Sequence, residues 1–518
     1  MSDKRVLDVL IVGAGPVGLT LAIDLARRNV SCRILEQSPT YQIGTRGRGI
    51  SMRTQQVFED LGILEALFSY DEGMPPTRIY DHDKLVSETN LASLFPPVPP
   101  PYRPILMINQ EHTEAVLRAR LASSGRRVEL DTQLVSFTQD AERVVAQVTH
   151  AGQSEAIQAR YLVGCDGGHS TVRKIAGISF LGETWDEEHF LLGNVGVNGL
   201  DTNFAYTWNH LNGGLTLQWM SHSQVWFFSA PLAVEEQGVV SAPTLATLQR
   251  LFDERAGLPG VRFSDPRWLS IWRPNIRMVN RYRVGRIFLA GDAAHVHSAA
   301  GGQGMNTGVQ DAYNLGWKLA HVLSGAPDAL LDTYQAERLP VAEGVLASTS
   351  ARHREFRRDF TQAVTTLISG KETFADPSQL SLTYRGSRLA RNLDSATGIR
   401  AGDRAPDALC VRADRDEQVR LFDLFRGTHF TLLVFGDQLI PPLPKAPESS
   451  LRVYTIARPD HPIVASDQTL IDSDGQASRA YGIGGEALVL VRPDGYIGLT
   501  AGSLEAQPIL DYLREVIG

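Results

Sequence analysis

Cysteine is nearly absent from this chain: Cys32, Cys165 and Cys410 are the only three in 518 residues, and they lie far apart. They form no C-x-x-C pair and no zinc-type spacing. A disulfide framework is therefore excluded, and the usage fits a reducing cytosol. Long apolar runs are also missing. No stretch reaches the ~20 apolar residues of a membrane helix, and the first apolar run is broken by Asp8 and ends in glycines, unlike a secretory signal. A cytoplasmic protein with no membrane partner is expected. Positive charge is in deficit: the formal net charge is −8. That argues against nucleic acid, which needs a basic footprint. No G-x-S-x-G elbow and no H-E-x-x-H pair occurs, so serine-hydrolase and zinc-protease chemistry fail. His295 and His297 stand two apart in a turn with no third ligand nearby, so no metal site is expected and loop hydrogen bonding is their work.

What remains is an ordinary globular composition, 43% hydrophobic and 21% charged, in a chain long enough for two to four domains. Glycine is where the information lies. Three glycine-bearing motifs occur in order: Gly13-Ala14-Gly15-Pro16-Val17-Gly18, Cys165-Asp166-Gly167-Gly168, and Gly291-Asp292 followed by Gly301-Gly302-Gln303-Gly304-Met305-Asn306. The run Val6–Val12 reads as a strand buried on both faces, Pro16 to Asn29 as a helix, and Val30 to Leu35 as a second strand ending at Glu36. In such a βαβ unit Gly13 permits the tight turn, Gly15 lets a pyrophosphate approach the backbone, and Gly18 lets helix and strand pack. Pro16 opens the helix, whose orphan N–H groups favour an anion. Glu36 stands where a carboxylate accepts from both ribose hydroxyls and disfavours a 2′-phosphate, so the unit suits FAD or NAD, not NADP.

The rest of the pattern alternates. A basic glycine loop, Gly44 to Gly49, is followed by a helix, a proline-rich crossover at 71–104, a helix from Gln110 to Ser123, and strands ending at Cys165. Residues 185–270 alternate as an antiparallel sheet. A buried strand leads into Gly291-Asp292, and a long helix runs from Met305 to Leu323. A separate α/β pattern restarts near residue 401.

Across all three motifs the chain resembles the single-component FAD-dependent aromatic hydroxylases related to p-hydroxybenzoate hydroxylase. Residues 6–350 carry the match, above all Gly291–His295 and Asn306–Leu319. The resemblance implies an α/β fold with a Rossmann-like FAD-binding domain (1–75, 102–184 and 271–370) and an inserted antiparallel-sheet substrate domain (76–101 and 185–270). A linker (371–400) would lead to a small thioredoxin-like α/β domain (401–518). That domain holds only Cys410, so no thiol chemistry is expected of it; packing or oligomerisation is, with a homodimer as the candidate assembly.

By the same resemblance Asp292 serves the ribityl–pyrophosphate region, and Gly304, Met305 and Asn306 the pyrimidine end of the isoalloxazine, where N–H groups at a helix start suit an anionic reduced flavin. Asp166 helps hold FAD and is tied to nicotinamide use, with Arg173 as a phosphate or motif-stabilising partner. Arg46, with Arg48 as its rival, lies near the flavin and its pyrophosphate, and Gln110 and Arg118 reach the ribose and phosphates. Relatives carry proline before the paired glycines. Here Ser298-Ala299-Ala300 stands there, so the backbone of Ser298, Ala299 and Gly302 is expected beside the flavin without a proline. Tyr206, Trp219, Trp226 and Phe228 are the candidate substrate-lining residues, with alternate aromatics facing the flavin and the rest packing a core. The implied activity is monooxygenation of a phenolic or polycyclic aromatic with NADH or NADPH and O2 through a flavin C(4a)-hydroperoxide. No side chain need be a nucleophile, and the base that would ionise a phenol is not identified. The rivals are Baeyer–Villiger insertion, modification of an antibiotic, or a non-catalytic flavin- or ligand-binding protein that sequesters a labile intermediate.

Overall fold

A computed structural model describes residues 6–44, 47–185, 188–232, 242–297, 302–358, 376, 378–394, 397–436, 450–459 and 466–518. Arg46, Ser298 and Ala299, three of the expected site positions, lie outside them. The chain divides into two units: residues 1–23, 32–312 and 342–379, and residues 24–31, 313–341 and 380–518.

In the first unit the strand Leu7–Val12 lies between Cys32–Leu35 and Gln153–Gly164, parallel to both. Val128–Glu129 extends this parallel core on one side and Ile287–Leu289 on the other. Val9, Leu10 and Ile11 are fully buried, as a central strand covered on both faces requires. The helix Pro16–Arg27 follows directly. The carboxyl ends of Leu7–Val12, Cys32–Leu35 and Gln153–Gly164 thus gather Gly13, Glu36 and Asp166 at one rim of the sheet, where open α/β sheets bind ligands.

The second sheet of this unit has seven strands, in the order Arg262–Trp272, Phe190–Asn198, Val225–Pro231, Leu215–Met220, Ala205–Asn209, Thr77–Asp81, Lys84–Thr89. Thr77–Asp81 joins it parallel to Ala205–Asn209. The helix Leu245–Ala256 packs on one face, where Leu248, Leu251 and Phe252 meet Tyr206, Trp208, Leu217, Trp226 and Phe228 in one core. A short ladder, Gly49–Ser51 with Ile105–Met107, carries the end of the basic glycine loop.

The second unit is built on a mixed eight-stranded sheet with Phe430–Phe435, Leu451–Ala457 and Ala487–Val491 at its centre. Its extent differs from the sequence expectation. Residues 380–394, expected as part of a linker, pack here: Leu393 donates its N–H to Thr500 at 3.0 Å and Arg391–Asn392 pairs with Ile497–Ala501. Residues 313–341 also belong to this unit. The reason is a fully buried polar cluster. Glu337 accepts from both Arg492 guanidinium nitrogens, Nη1 (2.6 Å) and Nη2 (3.0 Å), from Lys318 Nζ (2.6 Å), from Asn314 (2.7 Å) and from Ser387 (2.7 Å). Burial pushes the Glu337 carboxyl up, but Arg492 and Lys318 outweigh it and hold the group well below the usual carboxylate range. Such a network is costly to break, because each charge left alone would be buried.

Candidate functional site

The first motif is packed to sub-ångström tolerance at two of its glycines and open at the third. Gly13 has φ +100°. A Cβ there would stand 2.4 Å from the Cys165 carbonyl oxygen, and one on Gly18 would stand 2.0 Å from the Gly13 carbonyl oxygen. Nothing lies within 4 Å of a Cβ built on Gly15. Gly13 and Gly18 therefore fit strand, turn and helix together, while Gly15 leaves an open cradle beside the helix start at Pro16. Glu36 sits across from it. Its carboxylate accepts from Ala14 N at 3.2 Å and Ser38 N at 3.0 Å, which fixes the side chain at the rim and leaves lone pairs for hydroxyl donors.

Two residues expected near the ribose and phosphates come together on one face of the helix Gln110–Ser123. Gln110 donates to Glu114 Oε1 at 2.7 Å, and Arg118 lies 3.4 Å from Glu114 Oε2. Arg118 also stacks on Tyr41 at 3.9 Å. A Cβ on Gly47 would lie 3.5 Å from Gln110 Oε1 and 3.8 Å from Met305 Cβ. Gly47 thus lies between the start of this helix and the start of Gly304–Leu323.

The second and third motifs are bound to each other. Asp166 is engaged locally: its carboxylate accepts from Ser170 Oγ (2.5 Å), Thr171 N (2.7 Å) and Val172 N (3.1 Å), capping the helix Thr171–Ile175. Burial raises its pKa, against these bonds. Arg173 donates to the Gly168 and Ala293 carbonyls at 2.7 and 2.9 Å and stacks on Phe180. It is a tie between the two motifs. Gly291 has φ +62°. A Cβ on it or on Gly308 would meet Val17 at 2.7 or 2.6 Å, so the turn and both helices close on that side chain. Asp311 Oδ2 accepts from Gly291 N (3.0 Å) and pairs with His295 Nε2 (2.7 Å), fastening the turn from below. Asp292 is exposed at its tip.

At the start of Gly304–Leu323 the Asn306 side chain is used up by protein. It accepts from Ser51 N (2.9 Å) and donates to the Gly49 and Gly302 carbonyls (2.8 and 2.9 Å). Asn306 staples the glycine loop to the helix; the first-turn N–H groups, including those of Gly304 and Met305, are the ones without intrahelical acceptors. Gly302 is exposed with φ +61°.

The substrate-lining expectation needs correction. Tyr206, Trp226 and Phe228 are 3%, 1% and 0% exposed in the core under Leu245–Ala256, and Trp219, half-buried, shares their side of the sheet through its pairing with Trp226. Alternation was right, but the parity was the other one. The opposite face carries Trp268, Asn194, Phe227 and Gln218 in one cross-strand row, with Ser270, Leu192, Ser229, Thr216 and Thr207 in the next. The glycine loop lies on that face: a Cβ on Gly44 would stand 2.5 Å from the Trp268 ring, and Arg48 reaches Gln218 at 2.9 Å. The signal was present in the sequence, since the core parity is wholly apolar while the other carries Thr, Gln and Ser.

These residues fit FAD. The open cradle at Gly15, the helix start beside it and the acidic rim suit its adenosine diphosphate. Among the described residues no cluster of His, Cys, Asp and Glu could hold a metal, and no helix is long and apolar enough to cross a membrane.

Comparison with known proteins agrees. The model of an FAD binding domain matches residues 6–349, and that of an aromatic-ring hydroxylase C-terminal domain matches residues 399–518. The chain is 43% identical to a flavin-dependent monooxygenase of Mycobacteroides abscessus, over 99% of this chain and 100% of that one. It is 33% identical to pentachlorophenol 4-monooxygenase of Sphingobium chlorophenolicum, over 97% and 96%. Aklavinone-11 hydroxylase, solved with FAD and aklavinone, superposes with a TM-score of 0.81 over the whole of both chains at 26% identity. The chain thus belongs to the aromatic-ring hydroxylase family of FAD-dependent monooxygenases.

Proposed function

We propose that the enzyme hydroxylates a phenolic or polycyclic aromatic compound, using NADH or NADPH and O2. The observation that carries this reading is the sheet face opposite the glycine loop. Ser270, Ser229, Thr216 and Thr207 are half-buried small polar side chains in one cross-strand row with Leu192, bounded by Phe227 and Trp268. Such a wall suits a planar ring with a few oxygen substituents. The named substrates of relatives, pentachlorophenol and aklavinone among them, are of that kind.

Bound FAD, reduced by the nicotinamide, supplies the activation of oxygen. The protein's part is positional. Gly13, Gly15, Pro16 and Gly18 shape the diphosphate cradle and Glu36 takes the ribose. Gln110 and Arg118 would hold the phosphates, a role the family resemblance also gives Arg46, and Asp292 would serve the ribityl chain. The first N–H groups of Gly304–Leu323 would stabilise negative charge on a reduced ring held there. Asp166, through its cap, and Arg173, through its two carbonyl contacts, hold the second and third motifs in register. The sheet and the loop exclude water from the reacting face.

The C-terminal unit fits a thioredoxin-like scaffold without its redox pair. Burial pushes the Cys410 thiol up to about 12, which leaves it inert at neutral pH. A homodimer in the cytoplasm is the assembly and location this reading favours. Nicotinamide oxidation stimulated by phenols, with one labelled oxygen atom entering the product ring, tests the proposal. A lactone or ester product would mean Baeyer–Villiger insertion, and oxidation without oxygen would mean a dehydrogenase.

A further inference from the structure

Among the described residues Arg48 is a half-buried cation with no acidic partner. The residue is half-buried, with its guanidinium set deep enough among protein atoms to lose much of its hydration. Burial pushes it down to about 10, so it remains charged at neutral pH. Among the described residues its contacts are few and all uncharged. Nη1 donates to Gln218 Oε1 at 2.9 Å and approaches Met220 Sδ at 3.7 Å, and the guanidinium lies 4.2 Å from the Phe227 ring centroid. Nε and Nη2 have no protein acceptor there. Gln218 and Phe227 are cross-strand neighbours on the sheet face assigned to the substrate.

A buried charge held only by an amide, a thioether and a ring is costly, and natural proteins pair such charges. Here Nε and Nη2 are left without an acceptor among the described residues, beside the sheet face that carries Gln218 and Phe227. We propose that Arg48, oriented by Gln218 and Phe227, is an anion subsite that takes the substrate's aromatic oxyanion, so that the enzyme binds its phenol ionised. The phenol proton goes to solvent on binding, and the oxyanion accepts from the guanidinium. The ring, now richer in electrons ortho and para to that oxygen, is the better nucleophile toward an oxygen donor. This deepens the monooxygenase reading and rests on it for the subsite's occupant.

The probe is 4-nitrophenol, whose anion is yellow and whose neutral form is not, with 4-nitroanisole as its uncharged twin. Both are titrated into the FAD-loaded enzyme by difference absorbance, with no reductant present. The expected result is an apparent pKa of bound 4-nitrophenol about 1–3 units below its free value, the shift an arginine gives an adjacent acid. Arg48→Met abolishes that shift and weakens 4-nitrophenol about tenfold or more, while 4-nitroanisole changes less than about twofold. Arg48→Lys keeps part of the shift, and Arg48→Gln replaces Met should the latter fail to retain FAD. An equal shift in wild type and Arg48→Met overturns the proposal. So does an equal loss of both probes, which means a structural role, or a changed flavin reduction potential with the nitrophenol shift intact, which assigns the arginine to the flavin. Because no turnover is read, an arginine-dependent shift in an enzyme that never hydroxylates would sink the monooxygenase reading and leave the anion subsite standing.

Discussion

Gly15→Ala and Gly18→Ala are the same chemical change three residues apart, and the structure separates their outcomes. At Gly15 the backbone is outside the left-handed region and a new methyl meets nothing within 4 Å. The apo fold should tolerate it, gaining up to about 0.4–1 kcal/mol from a stiffer unfolded chain. The space it fills is where the diphosphate must approach the backbone. Two charge-assisted hydrogen bonds at about 1.5–3 kcal/mol each are then lost or stretched. That is about 3–6 kcal/mol, or roughly 10²–10⁴ in the FAD dissociation constant. At Gly18 the methyl would stand 2.0 Å from the Gly13 carbonyl oxygen, more than ~1 Å inside the ~3.3 Å at which such atoms meet. The helix must shift, at about 1–3 kcal/mol or more of fold stability. Thermal unfolding of the apo-proteins, with FAD titration by flavin fluorescence, distinguishes the two. Gly15→Ala should melt like wild type and bind FAD poorly, while Gly18→Ala should melt early. A Gly15→Ala protein that binds FAD as tightly as wild type would refute the cradle.

Three further outcomes follow from buried groups. Glu337→Gln leaves Arg492 and Lys318 without their shared carboxylate and should cost about 3–5 kcal/mol, seen by hydrogen exchange as protection lost throughout residues 380–518. His321, held between Trp317 and Phe430, is pulled by burial down to about 4. The unfolded chain, with an ordinary histidine near pH 6.5, binds the proton first. Stability should therefore fall as pH drops from about 6.5 to 4, by up to ~3 kcal/mol, and His321→Gln should flatten that slope in pH-dependent denaturation. Phe228→Ala should cost about 3–5 kcal/mol of stability as a core truncation. Phe227→Ala, one residue away on the other face, should change KM for aromatic substrates with little effect on the melting temperature.

Local chemistry was legible in the sequence where one residue type answers one backbone demand. The turn at Gly13, the open position at Gly15 and the carboxylate at Glu36 are of this sort, and the strand–helix–strand order could be read with them. Parity without polarity misled. The aromatics at 206, 226 and 228 drew attention because large rings suit a ring-shaped substrate, but large rings also fill cores, and the small polar residues between them mark the open face. Division into units was not legible, since it depends on Glu337 meeting Arg492 across 155 positions. Roles that consist of reaching a distant partner, such as Asn306 on Ser51 or His295 on Asp311, leave no pattern in the chain. Arg48 was visible as a charge in a glycine loop; only the sheet beside it shows that the charge meets no acid among the described residues.

The central claim is oxygen transfer to an aromatic ring, and ¹⁸O₂ tests it most directly. With FAD-loaded enzyme, NADH or NADPH, and a phenol that stimulates nicotinamide oxidation, mass spectrometry should find one ¹⁸O atom in the hydroxylated product per nicotinamide consumed in coupled turnover. Nicotinamide oxidation that proceeds without oxygen, or product whose new oxygen comes from water, would contradict the account.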